Sequence, residues 1–138
     1  MSKYPRVLLT VSLAVLLLAC TATLAGARTT YTTSKPVLSG SPHKDKTFTA
    51  SGVITPKSTA KSRAKVKIIL WMKYGDDAYG VMDTYWAKLS ARPGGKPGTR
   101  YACAITIPMK GDHGVQAVQY RNGKLVSKSQ TVYFTVQP

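Results

Sequence analysis

The chain has 138 residues, with 20 lysines and arginines against five acids, a formal net charge of +15 at pH 7 and a hydrophobic fraction of 43%. A length of this order, less an export leader, leaves room for one domain and excludes two. So large a positive surplus disfavours self-association and attracts polyanions at modest salt.

Residues 1–27 have the layout of a secretory signal peptide. Lys3 and Arg6 give a positive start, Val7 to Ala19 an apolar stretch, and Ala25-Gly26-Ala27 a small-x-small cleavage site. The apolar stretch falls short of the roughly 20 residues that a membrane span needs. Leu17-Leu18-Ala19-Cys20 also has the form of a lipobox, in which Cys20 would be acylated and left at the mature N-terminus. Against that form, apolar residues follow Cys20 where lipoproteins turn polar. The expectation is an extracellular protein, free after cleavage behind Ala27, with lipid anchoring at Cys20 as the alternative and the sole route to a membrane.

Taking 27 residues from 138 leaves 111, and losing Lys3 and Arg6 leaves 18 basic residues against five aspartates, a net +13. The aspartates are Asp45, Asp76, Asp77, Asp83 and Asp112. Outside a cell the matching polyanions are wall polymers, acidic polysaccharides or anionic headgroups rather than nucleic acid. Cleavage also removes Cys20, so Cys103 has no intramolecular partner, and it reads as a small buried hydrophobe.

Residues 28–35 are rich in Thr and Ser and read as a flexible leader, with the domain spanning 36–138. "KPVLSG" can supply a short edge strand, since Pro36 is tolerated at a strand start. From Thr47 the period is two. "TFTASGVI" sets Phe48, Ala50 and Ile54 on one face, with Gly52 a bulge or a close approach. Residues 55–65 form a polar loop carrying Lys57, Lys61, Arg63 and Lys65. "VKIILWMKY" places Val66, Ile68, Leu70 and Met72 opposite Lys67, Ile69, Trp71 and Lys73, which predicts a central strand.

"GDDAYG" is a turn by composition. In "VMDTYWAKLSA", Val81, Asp83, Tyr85, Ala87 and Leu89 alternate against Met82, Thr84, Trp86, Lys88 and Ser90. A breaker cluster at 92–98 follows. Next, "TRYACAITI" sets Tyr101, Cys103, Ile105 and Ile107 inward. "PMKGDHG" reads as a turn, "VQAVQY" as a strand, Asn122-Gly123 as a two-residue hairpin turn, and "TVYFTV" as a last strand with Val132, Phe134 and Val136 inward. Six or seven strands without crossover helices must pair antiparallel, and their apolar faces call for a sheet-on-sheet core. The predicted fold is all-β, an antiparallel β-sandwich of about seven strands behind a signal peptide.

"SGVITPKS", "AKVKIILW", "DTYWAKLSA", "GTRYACAITIPMKG" and "GVQAVQY" resemble, in order and spacing, pieces of small immunoglobulin-like modules of secreted and cell-surface proteins of high-GC Gram-positive bacteria. The resemblance covers roughly residues 36 to 136 and implies a fold more than a function. Two departures stand out: His113 and Gly114 sit where such modules carry a tryptophan, and there is one copy where relatives often carry several. The Gly-x-x-Tyr-x-Cys run ending at Cys103 is also similar to the cysteine strand of antibody domains, but two strands follow Tyr101, so it is a different strand.

Candidate chemistry is sparse. His113 beside Asp112 reads as a solvated turn histidine, His43 lies in the Thr-, Ser-, Lys- and Pro-rich stretch 28–46, and no Gly-x-Ser-x-Gly occurs. Asp76, Asp77 and Asp83 are too few oxygens for calcium in so basic a domain, and no Cys/His spacing suits zinc. The expectation is therefore a protein without enzymatic activity, metal or cofactor. The strongest unexplained feature is the basic residues: Lys57, Lys61, Arg63, Lys65 and Lys67 in one loop and strand, and Lys88, Arg92, Lys96 and Arg100 around a second loop. Tyr74, Tyr79, Tyr85, Trp86 and Tyr120 lie among them, a combination suited to sugar stacking or anionic polymers. Expected partners are an anionic wall polymer, a polysaccharide or another extracellular protein. The alternative is a secreted inhibitor or effector acting through loop 92–100 or 110–114.

Overall fold

A computed structural model describes residues 28–138; the expected signal peptide, residues 1–27, and Cys20 within it lie outside the described residues. Within them the chain forms β1 (Thr32–Thr33), β2 (Val37–Leu38), β3 (Thr47–Thr55), β4 (Ala64–Tyr74), β5 (Ala78–Trp86), β6 (Lys88–Ala91), β7 (Thr99–Thr106), β8 (Gly111–Arg121), β9 (Lys124–Lys128) and β10 (Val132–Val136). One antiparallel sheet runs β1-β3-β7-β6 with β2 also on β3; the other runs β10-β8-β4-β5 with β9 also on β8.

Alternation puts the sheets face to face. Phe48, Ala50 and Ile54 of β3 and Tyr101, Cys103 and Ile105 of β7 bury against Val66, Ile68 and Leu70 of β4 and Val115 and Ala117 of β8. Each large aliphatic side chain buried this way contributes roughly 1.5–3 kcal/mol relative to exposure. Gly52 is a close approach rather than a bulge. A Cβ there would lie 2.4 Å from the Tyr101 hydroxyl oxygen, which donates to the Ser34 carbonyl at 2.7 Å.

Several expectations are corrected. Thr32 and Thr33, assigned to the leader, pair with Thr55 and Ile54 of β3. "VMDTYWAKLSA" is not one strand: β5 pairs with β4, Ala87 N–H donates to the Val66 carbonyl at 2.9 Å, and β6 then pairs with β7 in the other sheet. A bulge opposite Leu70/Trp71 also reverses the facing of its start, so Met82 packs on the core and Val81 is exposed.

The segment 111–114 is strand, not turn. His113 is fully buried on the inner face of β8, 0% exposed, with its ring stacked 6.2 Å from Phe134 and Nδ1 2.9 Å from the Gly111 carbonyl. It is no solvated turn histidine. The Asn122-Gly123 hairpin appears as expected, both residues having positive φ, 50° and 78°.

Candidate polyanion-binding face

Strand parity decides which basic residues meet. On β4 the side chains opposite the core are Lys65, Lys67, Ile69, Trp71 and Lys73, so the lysines stand on the outer face of the β10-β8-β4-β5 sheet. Cross-strand register adds the aromatics: Lys65 lies opposite Tyr120 of β8, and Lys67 lies opposite both Val118 of β8 and Trp86 of β5. Val118 is 1% exposed although it is outside the core, buried on this outer face.

Trp86 is 58% exposed and meets Tyr120 edge-on, with ring centroids 5.9 Å apart. The Lys67 ammonium stands 5.1 Å from the Trp86 ring and 5.4 Å from that of Tyr120, and the Lys65 ammonium 5.6 Å from Trp86. Arg63 and the Asn122-Gly123 turn complete a concavity of about 390 Å³. Its lining holds three cations and, among the described residues, no acid. Two ammonium groups converging on one indole repel each other, and an anion placed between them removes that repulsion. The indole face is large, flat and partly apolar, a surface on which the C–H face of a pyranose can stack.

The loop bearing Arg63 is fixed from beneath by a buried cation. Arg121, 4% exposed, donates through Nε to Gln119 Oε1 at 2.7 Å, through Nη1 to the Ser62 carbonyl at 3.0 Å, and through Nη2 to the Pro56 carbonyl. Its guanidinium carbon stands 5.6 Å from the Tyr31 ring. Burial pulls its pKa down from the usual guanidinium value, and Tyr31 opposes that shift. Gln119 Nε2 in turn donates to the Thr32 carbonyl at 2.8 Å, tying β1 into the same network.

The remaining predicted basic residues scatter. Lys57 and Lys61 sit exposed in the loop between β3 and β4. Lys88 and Arg100 belong to the other sheet, on β6 and β7. Arg92 is engaged locally, donating from Nη1 to the Pro97 carbonyl at 2.9 Å, and Lys96 follows a short 3-10 turn at Pro93–Gly95. Of the nine, the structure brings Arg63, Lys65 and Lys67 to one concavity with Trp86, and Lys88 to a neighbouring one that also contains Trp86.

Tyr85 leaves the aromatic set, since it packs against the core. Burial, then its hydrogen bond to Asp83, pushes its hydroxyl up to about 12. Tyr133 joins the set, 63% exposed and 5.1 Å from Tyr79 between ring centroids. Its place was readable from "TVYFTV", where inward Val132, Phe134 and Val136 leave Tyr133 outward. Cys103 is buried, and that burial raises its thiol pKa. Compared with known proteins, the chain matches no family model and no curated protein.

Proposed function

We propose that the protein is a secreted, non-catalytic immunoglobulin-like module that binds an anionic polysaccharide of the cell envelope or its surroundings. The observation that carries the reading is the convergence of Lys65 and Lys67 on the Trp86 and Tyr120 rings, beside Arg63, in a concavity lined by no acid among the described residues. An acidic sugar meets both halves of that surface at once: its ring lies on Trp86 and its carboxylate, sulfate or phosphate lies among the three cations.

The immunoglobulin-like reading draws support from the strand order and from the chain's change of sheet between β5 and β6. Exposed ion pairs are individually weak, about 0.2–1 kcal/mol each, so binding depends on several charges along a polymer and weakens with salt. Affinity electrophoresis in gels containing polygalacturonate tests this. The protein should be retarded at low ionic strength, and retardation should vanish in Trp86→Ala and in Lys65→Glu/Lys67→Glu. Equal mobility in polygalacturonate and in neutral dextran at low salt would overturn it.

A further inference from the structure

Two paths for a bound chain leave the Trp86 concavity. One runs along the strands toward Tyr79 and Tyr133; the other crosses the strands and passes over the edge formed by β5 and β6. The direction decides which residues set specificity.

Charge closes the first path to an acidic polymer. Toward that end of the outer face lies Asp112, with Oδ2 3.9 Å from the Lys73 ammonium and Oδ1 accepting from Thr135 Oγ1 at 2.7 Å. The turn between β4 and β5 adds exposed Asp76 and Asp77. Three carboxylates against Lys73 repel a polyanion.

The second path is open and carries the cation Lys88, with a single carboxylate, Asp83, at its margin where it is hydrogen-bonded to Tyr85. Trp86 belongs both to the Arg63–Lys65–Lys67 concavity and to a second one of about 480 Å³, where Lys88, Thr49, Ala102 and Ala104 also lie. The two hollows are thus joined at the indole. Tyr85 and Cys103 also line the second, and the alanines at 102 and 104 leave room for a ring where larger side chains would fill it. Its floor includes a sheet edge. β6 pairs with β7 only from Thr99 to Ala102, and beyond Ala102 no other strand among the described residues takes that edge of β7. Unpaired backbone N–H and C=O groups of such an edge suit sugar hydroxyls, which donate and accept.

Resting on the polysaccharide reading above, we infer that an acidic glycan crosses the strands at Trp86 and continues over the β5–β6 edge into the Lys88–Ala104 hollow. The protein then grips the interior of a chain, with Trp86 at the crest between two subsites, and not a single terminal sugar.

Calorimetric titration with a galacturonic acid dimer and octamer tests the path. The wild-type protein should bind the octamer about tenfold more tightly than the dimer, the second hollow acting as a linked site. Lys88→Glu and Ala104→Glu, both at exposed positions, should lower octamer affinity to within about twofold of the dimer and leave dimer affinity unchanged. Lys88→Gln, which adds no repulsion, should lie between. Thermal unfolding of each variant checks that the fold is retained. An octamer advantage that survives both glutamate variants overturns the path while leaving the Trp86 site in place. Dimer binding that survives Trp86→Ala, or no binding of either oligomer by the wild type, overturns the polysaccharide reading and this inference with it.

Discussion

Replacing Arg121 by lysine keeps the charge and removes the planar fork, which makes it a sharp test of how the basic loop is held. The guanidinium reaches Gln119 Oε1, the Ser62 carbonyl and hydroxyl, and the Pro56 carbonyl together. An ammonium on an unbranched stem cannot span acceptors on β8 and on both ends of loop 56–62. Two acceptors at least lose their donor in a site where Arg121 itself is almost wholly buried. Hydrogen bonds to charged groups contribute about 1.5–3 kcal/mol each, and water entering at the loop recovers part of that, so the net cost is about 3 kcal/mol. For a domain of this size that corresponds to a fall in Tm of about 10–20 °C. Circular dichroism melts read the fall, and amide exchange should show faster opening at 57–63 than at 66–70. A Tm within about 3 °C of wild type would mean that water substitutes for the fork, and the clamp argument fails.

Gly52→Ala should destabilise by about 2–4 kcal/mol in urea melts, because the new Cβ lands 2.4 Å from the Tyr101 hydroxyl oxygen and 2.5 Å from Ser34 Oγ. Burial pushes the Tyr101 hydroxyl up to about 12, against an unfolded value near 10. A raised acid pKa favours the neutral form in the fold, so this contribution is whole below pH ~10 and lost as pH rises toward 12; Tyr101→Phe should flatten the alkaline fall in urea midpoint. His113→Phe should change stability by less than about 1 kcal/mol, since loss of the Nδ1 bond to the Gly111 carbonyl is offset by removal of Nε2, buried without a partner among the described residues, while a ring stays stacked on Phe134. Native Cys103 should be alkylated far more slowly than in denaturant, its thiol being buried and its pKa raised by that burial.

Period-two alternation made the inner faces legible: Tyr101, Cys103, Ile105 and Ile107, like Val66, Ile68 and Leu70, bury as the pattern of β7 and β4 requires. Local turn chemistry was equally readable at Asn122-Gly123. What failed was non-local or masked by composition. "GDHG" looks like a turn, yet β10 pairs along it and buries His113 at the start of β8. A one-residue bulge, invisible in "VMDTYW", swaps Val81 for Met82, while the change of sheet at Ala87 leaves the alternation of Tyr85, Ala87 and Leu89 intact, so nothing in the segment itself signals it. β1 has only two residues and is held by pairing to Thr55 and Ile54, so no local pattern marks it.

The candidate site divides the same way. That Lys65 and Lys67 share a face follows from their spacing. Their meeting with Trp86 and Tyr120 depends on the register of three strands distant in sequence, which alternation within one strand does not contain. No local pattern marks Arg121, which β8 places inward, beneath the loop that carries Arg63.

The most direct test of the Trp86 surface uses the indole as its own reporter. The chain holds two tryptophans, so Trp71→Phe leaves Trp86 as the sole tryptophan emitter. Adding polygalacturonate at low salt should shift its emission to shorter wavelength as a sugar ring displaces water, and added salt should reverse the shift. An emission spectrum unmoved by saturating polymer, with the variant folded, would contradict the account.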